Sequence, residues 1–171
     1  MTTSVLVGYA TRYGSTQEVD EAVAAALGEQ GLAVTLKPLR EVHALDEYGA
    51  VVLGAPLFMF RLHKDALGFL ASQREALASR PVAIFALGHT HAPYDAHEWQ
   101  DARAQIDKDM AQFPWLTPVA LELFGGRYDP GKLRFPIKQL AGKAPASDIR
   151  DWDAIRDWAG SLAATFRSAL G

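Results

Sequence analysis

The chain has 171 residues, of which 49% are hydrophobic and 22% charged, a composition that suits one globular domain with a substantial core. Cysteine is absent, which excludes disulfides and thiolate chemistry, and the net charge of −3 gives no reason to expect nucleic-acid binding. Residues 1–10 have no basic segment before their apolar run, and no stretch of the chain is apolar enough to span a membrane. We therefore expect a cytoplasmic protein with a single domain over residues 1–171.

In the first half of the chain, short apolar runs alternate with segments of helical periodicity. Three runs predict strands: 4–9, 33–39 and 48–55. Residues 15–18 match a capping box that opens a helix, and Gly31 supplies its stop. A longer helix is expected from about Leu62, and a short helix at 41–45 would supply the remaining crossover.

The second half continues the alternation. Two further strands are predicted at 81–87 and 119–124, and helices are expected from about Asp95 and Asp151. Strict alternation of this kind is typical of βαβ units around a parallel sheet. Because crossovers between parallel strands are right-handed, only a few strand orders are possible. The common order for a small sheet of five strands is 2-1-3-4-5. The sequence thus predicts an α/β fold with helices on both faces of that sheet.

A cluster of hydroxyl side chains follows the first predicted strand. In an open parallel sheet, ligands bind where the strand order reverses, which here lies between the first and third strands. At that place stands Thr11-Arg12-Tyr13-Gly14-Ser15-Thr16, which leads directly into a helix. Its hydroxyls, its glycine and the free N–H groups of the helix start together predict a phosphate site. Helix capping alone would explain one hydroxyl of the three.

The motifs of other phosphate-binding or phosphoryl-transfer proteins are absent from the places where they would be expected. There is no G-x-G-x-x-G after the first strand and no G-x-x-x-x-G-K-[ST] in the chain, which argues against a dinucleotide or a nucleoside triphosphate at this turn. Response regulators share this strand order, but they need acids at the ends of the first and third strands. Those places hold residues 8–10 and 54–56, which contain none, so phosphoryl transfer is rejected.

The segment Thr11 to Thr16 resembles the FMN-phosphate loop of flavodoxins, T-x-x-G-x-T. Residues 51–59 are similar to the second flavin loop, and 124–126 and 151–155 to late motifs of one subgroup. That subgroup contains the menaquinone-dependent protoporphyrinogen IX dehydrogenases. The resemblance covers nearly the whole chain. It implies a flavodoxin-like three-layer sandwich that binds FMN and acts as an oxidoreductase.

The resemblance also implies that two loops surround the isoalloxazine ring. The first runs from Pro56 to Arg61 and includes Leu57, Phe58, Met59 and Phe60; the second runs from Gly88 to His97 and includes His89, Thr90, His91 and Tyr94. Typical flavodoxins flank the ring with Trp and Tyr, places that Phe58 or Tyr94 would take here, although core packing is the alternative for Phe58 and Phe60.

The second of these loops also carries the densest polar cluster, formed by His89, His91, Asp95 and His97. A His-x-His pair with a nearby acid is able to coordinate zinc or iron. We expect contact with flavin or substrate rather than a metal, and solvated histidines are the plain alternative. Arg61, His63 and Lys64 are interpreted as a solvated helix start.

Residues 125–147 interrupt the alternation and are too long for an ordinary loop. Between 127 and 148 stand five basic and two acidic residues, a local charge of +3. Apolar side chains interleave with them: Leu133, Phe135, Ile137 and Leu140. This mixture suits a flat anionic substrate such as a porphyrin carboxylate, or peripheral contact with an anionic membrane that carries quinone. A surface loop packed on the sheet is the alternative.

Two reaction classes remain open. One is an enzyme that passes electron pairs from a porphyrinogen, or from NAD(P)H, to a quinone. The other is a carrier that shuttles single electrons between redox proteins. A carrier benefits from a strongly acidic surface, so the modest charge of −3, like the subgroup resemblance, favours the enzyme. A module that no longer holds flavin is a third class. The sequence identifies neither catalytic residues nor an oligomeric state.

Overall fold

The computed structural model describes residues 4–10, 15–58, 61–88, 96–128, 147–148 and 150–170. The strands are β1 (Ser4–Tyr9), β2 (Ala33–Pro38), β3 (Ala50–Phe58), β4 (Arg61–Leu62), β5 (Val82–Leu87), β6 (Ala120–Phe124), β7 (Arg127–Tyr128) and β8 (Ser147–Asp148). The helices are α1 (Ser15–Glu29), α2 (Lys64–Ser72), α3 (Arg74–Ala78), α4 (Ala96–Met110) and α5 (Trp152–Leu170), with a 3-10 turn at Leu39–Glu41.

Five of these strands form a parallel sheet in the order β2-β1-β3-β5-β6, which confirms the predicted order 2-1-3-4-5. Between consecutive strands of this sheet the chain contains at least one helix or 3-10 turn. β4 pairs antiparallel with the end of β3, and β7 pairs antiparallel with β8 in a separate ribbon. Every residue of β5 is buried, because helices cover both faces of the sheet centre.

The sheet separates two apolar layers, since alternate side chains of each strand point to opposite faces. On one face, Leu6 and Val51 pack with α2, α3 and α4. On the other, Val5 and Val7 pack with α1 and α5. The helices contribute the following buried side chains to these two layers: Val19, Val23, Leu27, Ala66, Phe69, Leu70, Ala102, Ile106, Ile155, Leu162 and Phe166.

Several predicted element bounds were wrong; the third strand, for example, begins at Ala50 rather than at residue 48. The short helix expected at 41–45 is a 3-10 turn that ends at Glu41. Val42 and Leu45 instead bury their side chains from a segment without regular secondary structure. Leu62 does not open the third helix but pairs in β4, and the helix begins at Lys64. The third strand runs to Phe58 rather than Ala55, because the hairpin with β4 prolongs it.

Gly31 ends α1 as predicted. Its φ of 87° lies in the left-handed region, where glycine carries no Cβ penalty. The N–H of Leu32 donates to the carbonyl of Leu27, and the N–H of Gly31 donates to that of Gly28. These two bonds satisfy carbonyls that the last turn leaves open. Among the described residues, no helix has the length and apolar character needed to cross a bilayer.

Candidate functional site

The carboxyl ends of β1 and β3 lie side by side where the strand order reverses. Tyr9 pairs with Gly54 in the parallel register, and the N–H of Ala10 donates to the Gly54 carbonyl over 2.9 Å. α1 starts at Ser15, so residues 11–14 connect this edge to the helix. Thr11, Arg12, Tyr13 and Gly14 lie outside the described residues, as does the Ser15 side chain. The start of α1 is therefore at the predicted ligand edge of the sheet.

Thr16, in the first turn of α1, is the phosphate-loop residue whose side chain the structure describes. Its side chain is fully buried, and its Oγ1 has no hydrogen-bond partner. A buried hydroxyl without a partner is rare, since most buried polar atoms are satisfied by protein or water. The hydroxyl stands beside the N–H groups that a helix start leaves free. A hydroxyl in this position is able to donate to an acceptor group, such as a phosphate oxygen.

Asp20 lies one turn further along α1 and was missed by sequence reasoning. Its side chain is fully buried, and neither carboxyl oxygen has a hydrogen-bond partner. Burial raises the pKa of Asp20 well above its ordinary value, and the charge of Glu21 adds to the rise. The signal was present, because positions 16, 20, 23 and 27 follow the helical period that also places Val23 and Leu27 in the core.

Gly54 leaves the space that the Asp20 carboxyl occupies. A Cβ on Gly54 would lie 2.6 and 2.7 Å from the two carboxyl oxygens and 2.3 Å from Cζ of Phe85. No real Cβ tolerates such distances, so the close approach of α1 to β3 depends on glycine at this position. Burial, followed by the charge of Asp20, raises the pKa of Tyr9 at the neighbouring strand end.

The first predicted flavin loop, residues 56–61, is largely a hairpin. Leu57 pairs with Leu62 and Phe58 with Arg61, whereas Met59 and Phe60 lie outside the described residues. The hairpin forms because its base is held at two points. The N–H of His63 donates to the Pro56 carbonyl over 3.1 Å. The N–H of Leu62 donates to the buried carboxylate of Asp109, on α4, over 3.0 Å.

The second predicted flavin loop begins at a tightly packed glycine. The N–H of Gly88 donates to the Phe124 carbonyl over 3.0 Å, and a Cβ there would lie 2.9 Å from Leu123 and 3.3 Å from Leu57. Gly88 therefore fixes the point at which the loop leaves β5. Four predicted site residues beyond it lie outside the described residues: His89, Thr90, His91 and Tyr94.

The histidines that the structure describes do not form a metal site. His97 lies on α4 with its side chain 82% exposed, and its Nε2 is 3.6 Å from a carboxylate oxygen of Asp101. His63 is not solvated as expected, since its side chain is 9% exposed and its Nδ1 accepts from the N–H of Asp65 to cap α2. Within the described ranges, no three metal-ligating side chains come together.

Arg150 ties the end of the 125–147 insertion to the start of α1. Its side chain is 4% exposed and forms ion pairs of 2.8 Å with Glu18 and 2.7 Å with Asp148. The guanidinium also lies over the Trp152 ring, 4.7 Å from the centroid. Sequence reasoning missed this contact, since Glu18 and Arg150 are 132 positions apart. The arrangement neutralises an acid in the first turn of α1, where its charge would oppose an anionic ligand.

A cleft of about 420 Å³ opens at the carboxyl end of β6, between α4 and α5. Its lining includes the rings of Trp99, Phe124 and Trp158 and the carboxylates of Glu122 and Asp151. The aromatic rings suit a flat ligand. The two carboxylates make the cleft unfavourable for a ligand that is itself an anion.

Comparison with protein families finds a match between residues 6–143 and the family model described as Flavodoxin domain. Sequence comparison with curated proteins finds no significant match.

Among solved structures, a short-chain flavodoxin associated with a non-canonical PDU bacterial microcompartment has a TM-score of 0.65 at 13% identity; the match covers 99% of this chain and 100% of that one. Flavodoxin 1 from Bacillus cereus has a TM-score of 0.58 at 15% identity, with 99% and 100% covered. Rubredoxin oxygen:oxidoreductase from Desulfovibrio gigas has a TM-score of 0.60 at 13% identity, with 99% of this chain matched to 37% of that chain. At these identities the structures establish a shared fold.

Proposed function

Since the chain belongs to the Flavodoxin domain family, we propose that it is an FMN-dependent oxidoreductase that binds the cofactor phosphate at Thr11 to Thr16. FMN is the cofactor that membership of this family implies. When bound, it supplies the redox chemistry, and the protein supplies binding, orientation and control of the surrounding charge.

The described residues fit a phosphate-bearing ligand, and the buried hydroxyl of Thr16 is the observation that carries the proposal. It has no partner within the protein, and it stands at a helix N-terminus at the point where the strand order reverses. A phosphate oxygen would accept from this hydroxyl and from the free N–H groups of the first turn. The ion pair of Glu18 with Arg150 removes a repulsive charge from the same turn.

The ring would lie between the β3–β4 hairpin and the loop that follows Gly88. We propose that the backbone of 56–60 and 88–91, with Tyr94, contacts its edge and face. The hairpin suits this role because Asp109 and the Pro56 carbonyl fix its base at the sheet edge. A fixed hairpin excludes water from one side of a bound ring.

For the substrate we propose a porphyrinogen, with a quinone as the acceptor of each electron pair and of two protons. The support is the local charge of +3 over residues 127–148 with its interleaved apolar side chains, together with the subgroup resemblance. Residues 129–146, which include five of these seven charged residues, lie outside the described residues. The cleft lined by Glu122 and Asp151 repels carboxylates, so a porphyrin would contact the basic segment instead.

Two alternatives use the same cofactor site. An NAD(P)H:quinone reductase would take hydride from a nicotinamide, and an electron carrier would exchange single electrons with redox proteins. The carrier is favoured by the flavodoxins that share this fold over their full length. The net charge of −3 counts against it, because docking on a basic partner benefits from a larger negative charge.

Cofactor binding is tested by titrating the apoprotein with FMN and following the flavin absorbance. The double variant T11A/T16A should bind FMN at least about a hundredfold more weakly, since each hydrogen bond to a charged phosphate contributes about 1.5–3 kcal/mol. T117A, which removes an exposed hydroxyl far along the chain, is the matched control and should bind normally. Equal affinity of T11A/T16A and T117A would disprove this phosphate site.

The reaction class is tested with the FMN-loaded protein under anaerobic conditions. We expect protoporphyrinogen to bleach the flavin absorbance and a menaquinone analogue to restore it. Replacing Lys132, Arg134 and Lys138 by glutamine should slow the first step and leave FMN affinity unchanged. Reduction by NAD(P)H but not by porphyrinogen would identify a quinone reductase. Reduction by neither, with rapid exchange with a redox protein, would identify a carrier.

A further inference from the structure

Two buried polar groups of α1 lie one above the other behind the proposed phosphate site. Thr16 and Asp20 are four residues apart, a spacing that puts their Cβ atoms about 5–6 Å apart on one helix face. Both side chains are fully buried, and the Thr16 hydroxyl and the two Asp20 oxygens all lack partners. Thr16 belongs to the proposed phosphate site, whereas Asp20 has no role in it.

Among the residues that the structure describes, none near Asp20 would stabilise a negative charge there. On its own helix the neighbouring charge is that of Glu21, which is also negative. At the end of β1 it faces Tyr9, and at β3 and β5 it meets Gly54 and Phe85, which carry no charge. An ionised carboxylate in such a place lacks both water and donors, which is strongly unfavourable. Burial accordingly raises the pKa of Asp20 well above the ordinary value of 3.8.

Protonation changes what this side chain offers. A protonated carboxyl has one O–H donor, whereas an ionised carboxylate only accepts. The Thr16 hydroxyl accepts and donates through the same oxygen. The two side chains are not hydrogen-bonded to one another in this structure. A rotation of the side chains that brings them together would let a protonated Asp20 donate to Thr16, and Thr16 donate onward. An ionised Asp20 would instead compete for the single proton of the Thr16 hydroxyl.

We propose that Asp20 is a positioning residue that keeps its proton at neutral pH and orients the Thr16 hydroxyl toward an anion at the start of α1. This inference rests on the proposed function, because the anion it would serve is the FMN phosphate. Binding of the phosphate and retention of the Asp20 proton then favour one another. FMN affinity is therefore expected to fall once the pH rises far enough to ionise Asp20.

The protonation state is tested first on the apoprotein, so that the result does not depend on FMN. At pH 7 the infrared spectrum should contain the carbonyl band of a protonated carboxyl, because exposed carboxyls are ionised at that pH. D20N, which keeps the size of the side chain, should remain folded and lack this band. Absence of the band in the wild-type protein overturns the proposal.

Unfolding by urea at several pH values gives a second measure. A carboxyl whose pKa is raised on folding stabilises the protein below its unfolded pKa, and that contribution is lost as the pH rises through the folded pKa. The wild-type protein should thus lose stability relative to D20N as the pH rises from about 4. E29Q removes an exposed carboxylate at the other end of α1, and the difference in stability between the wild-type protein and E29Q should change little with pH. A pH-independent difference from D20N overturns the proposal.

FMN binding then tests the positioning role, between about pH 7 and 9, where a phosphate monoester is already dianionic. Wild-type affinity should begin to fall at the pH at which the infrared band disappears, by up to about tenfold per pH unit for one linked proton. D20N should show no such fall, and riboflavin, which lacks the phosphate, should bind without it. D20A should weaken FMN binding about fivefold at pH 7, the effect of one ordinary hydrogen bond.

The outcomes separate this inference from the proposed function. If the infrared band and the pH-dependent stability are observed but the protein binds no FMN, the proposed function is refuted, whereas the protonation of Asp20 is supported. If FMN binding depends on the phosphate but its affinity is unchanged by D20A and by ionisation of Asp20, the positioning role is overturned and the proposed function stands.

Discussion

Replacing Gly54 by alanine should strain the contact between α1 and the centre of the sheet. The added Cβ would lie 2.3 Å from Cζ of Phe85 and less than 3 Å from both carboxyl oxygens of Asp20, whereas ordinary contact begins at 3.4 Å. Phe85 is fully buried and packs against two other rings, those of Phe124 and Trp158, with centroid distances of 6.0 and 5.7 Å. The ring therefore has little room to move aside.

The magnitude follows from two opposing effects. Adding a methyl group to a well-packed core destabilises by about 1–3 kcal/mol, and the rigid surroundings of Phe85 place Gly54→Ala toward the upper end. Loss of glycine's freedom in the unfolded chain offsets about 0.4–1 kcal/mol. We expect a net loss of about 2 kcal/mol, or a fall in Tm of about 4–8 °C for a chain of this size.

Urea unfolding at constant pH measures the effect as a lower midpoint with an unchanged slope. Gly68→Ala is the matched control, because Gly68 is exposed on α2 and a Cβ there meets nothing within 4 Å. It should raise the stability by up to about 1 kcal/mol through helix propensity. In a D20A background the effect of Gly54→Ala should shrink, since two of its three close contacts are removed. Equal stability of the Gly54 and Gly68 variants would refute the reasoning.

Two further substitutions test the contacts that hold the site loops. Asp109→Ala leaves the N–H of Leu62 without its acceptor and should lower stability by about 2 kcal/mol, with faster hydrogen exchange at the Leu62 amide; unchanged exchange there would contradict the anchoring role. Arg150→Ala should cost only about 1 kcal/mol, because the Glu18 and Asp148 carboxylates are 41% and 42% exposed. A double-mutant cycle with Glu18→Gln measures the pair, and zero coupling would show that the ion pair does not join the segments.

The regular parts of the fold could be predicted because their signals are local. Alternating apolar runs gave the five parallel strands, and the helical period gave the inner faces of α1, α2, α4 and α5. The positive φ of Gly31 is likewise a property of one residue and its neighbours. Hydroxyls beside a helix start marked the place where Thr16 now lies buried and unpartnered.

The remaining features depend on partners far away in the sequence. The hairpin of β3 and β4 is held by Asp109 on a helix that follows more than forty residues later. Arg150 contacts Glu18, which is 132 positions away in the sequence, and no local sequence pattern predicts such a pair. Asp20 is the exception, because its place in the helical period was visible and only its charge argued against burial. A polar residue on an otherwise apolar face therefore merits the same attention as a binding motif.

The packing of α5 against α1 has a consequence for folding during synthesis. The apolar face of α1, which includes Val19 and Val23, is covered in part by Ile155 and Phe166. A ribosome completes the first helix well over a hundred residues before it makes the last. Until then the nascent chain exposes that face, a condition in which incomplete α/β units aggregate or engage chaperones. Ribosome-bound chains stalled before residue 150 should consequently bind chaperones that chains released after residue 170 no longer engage.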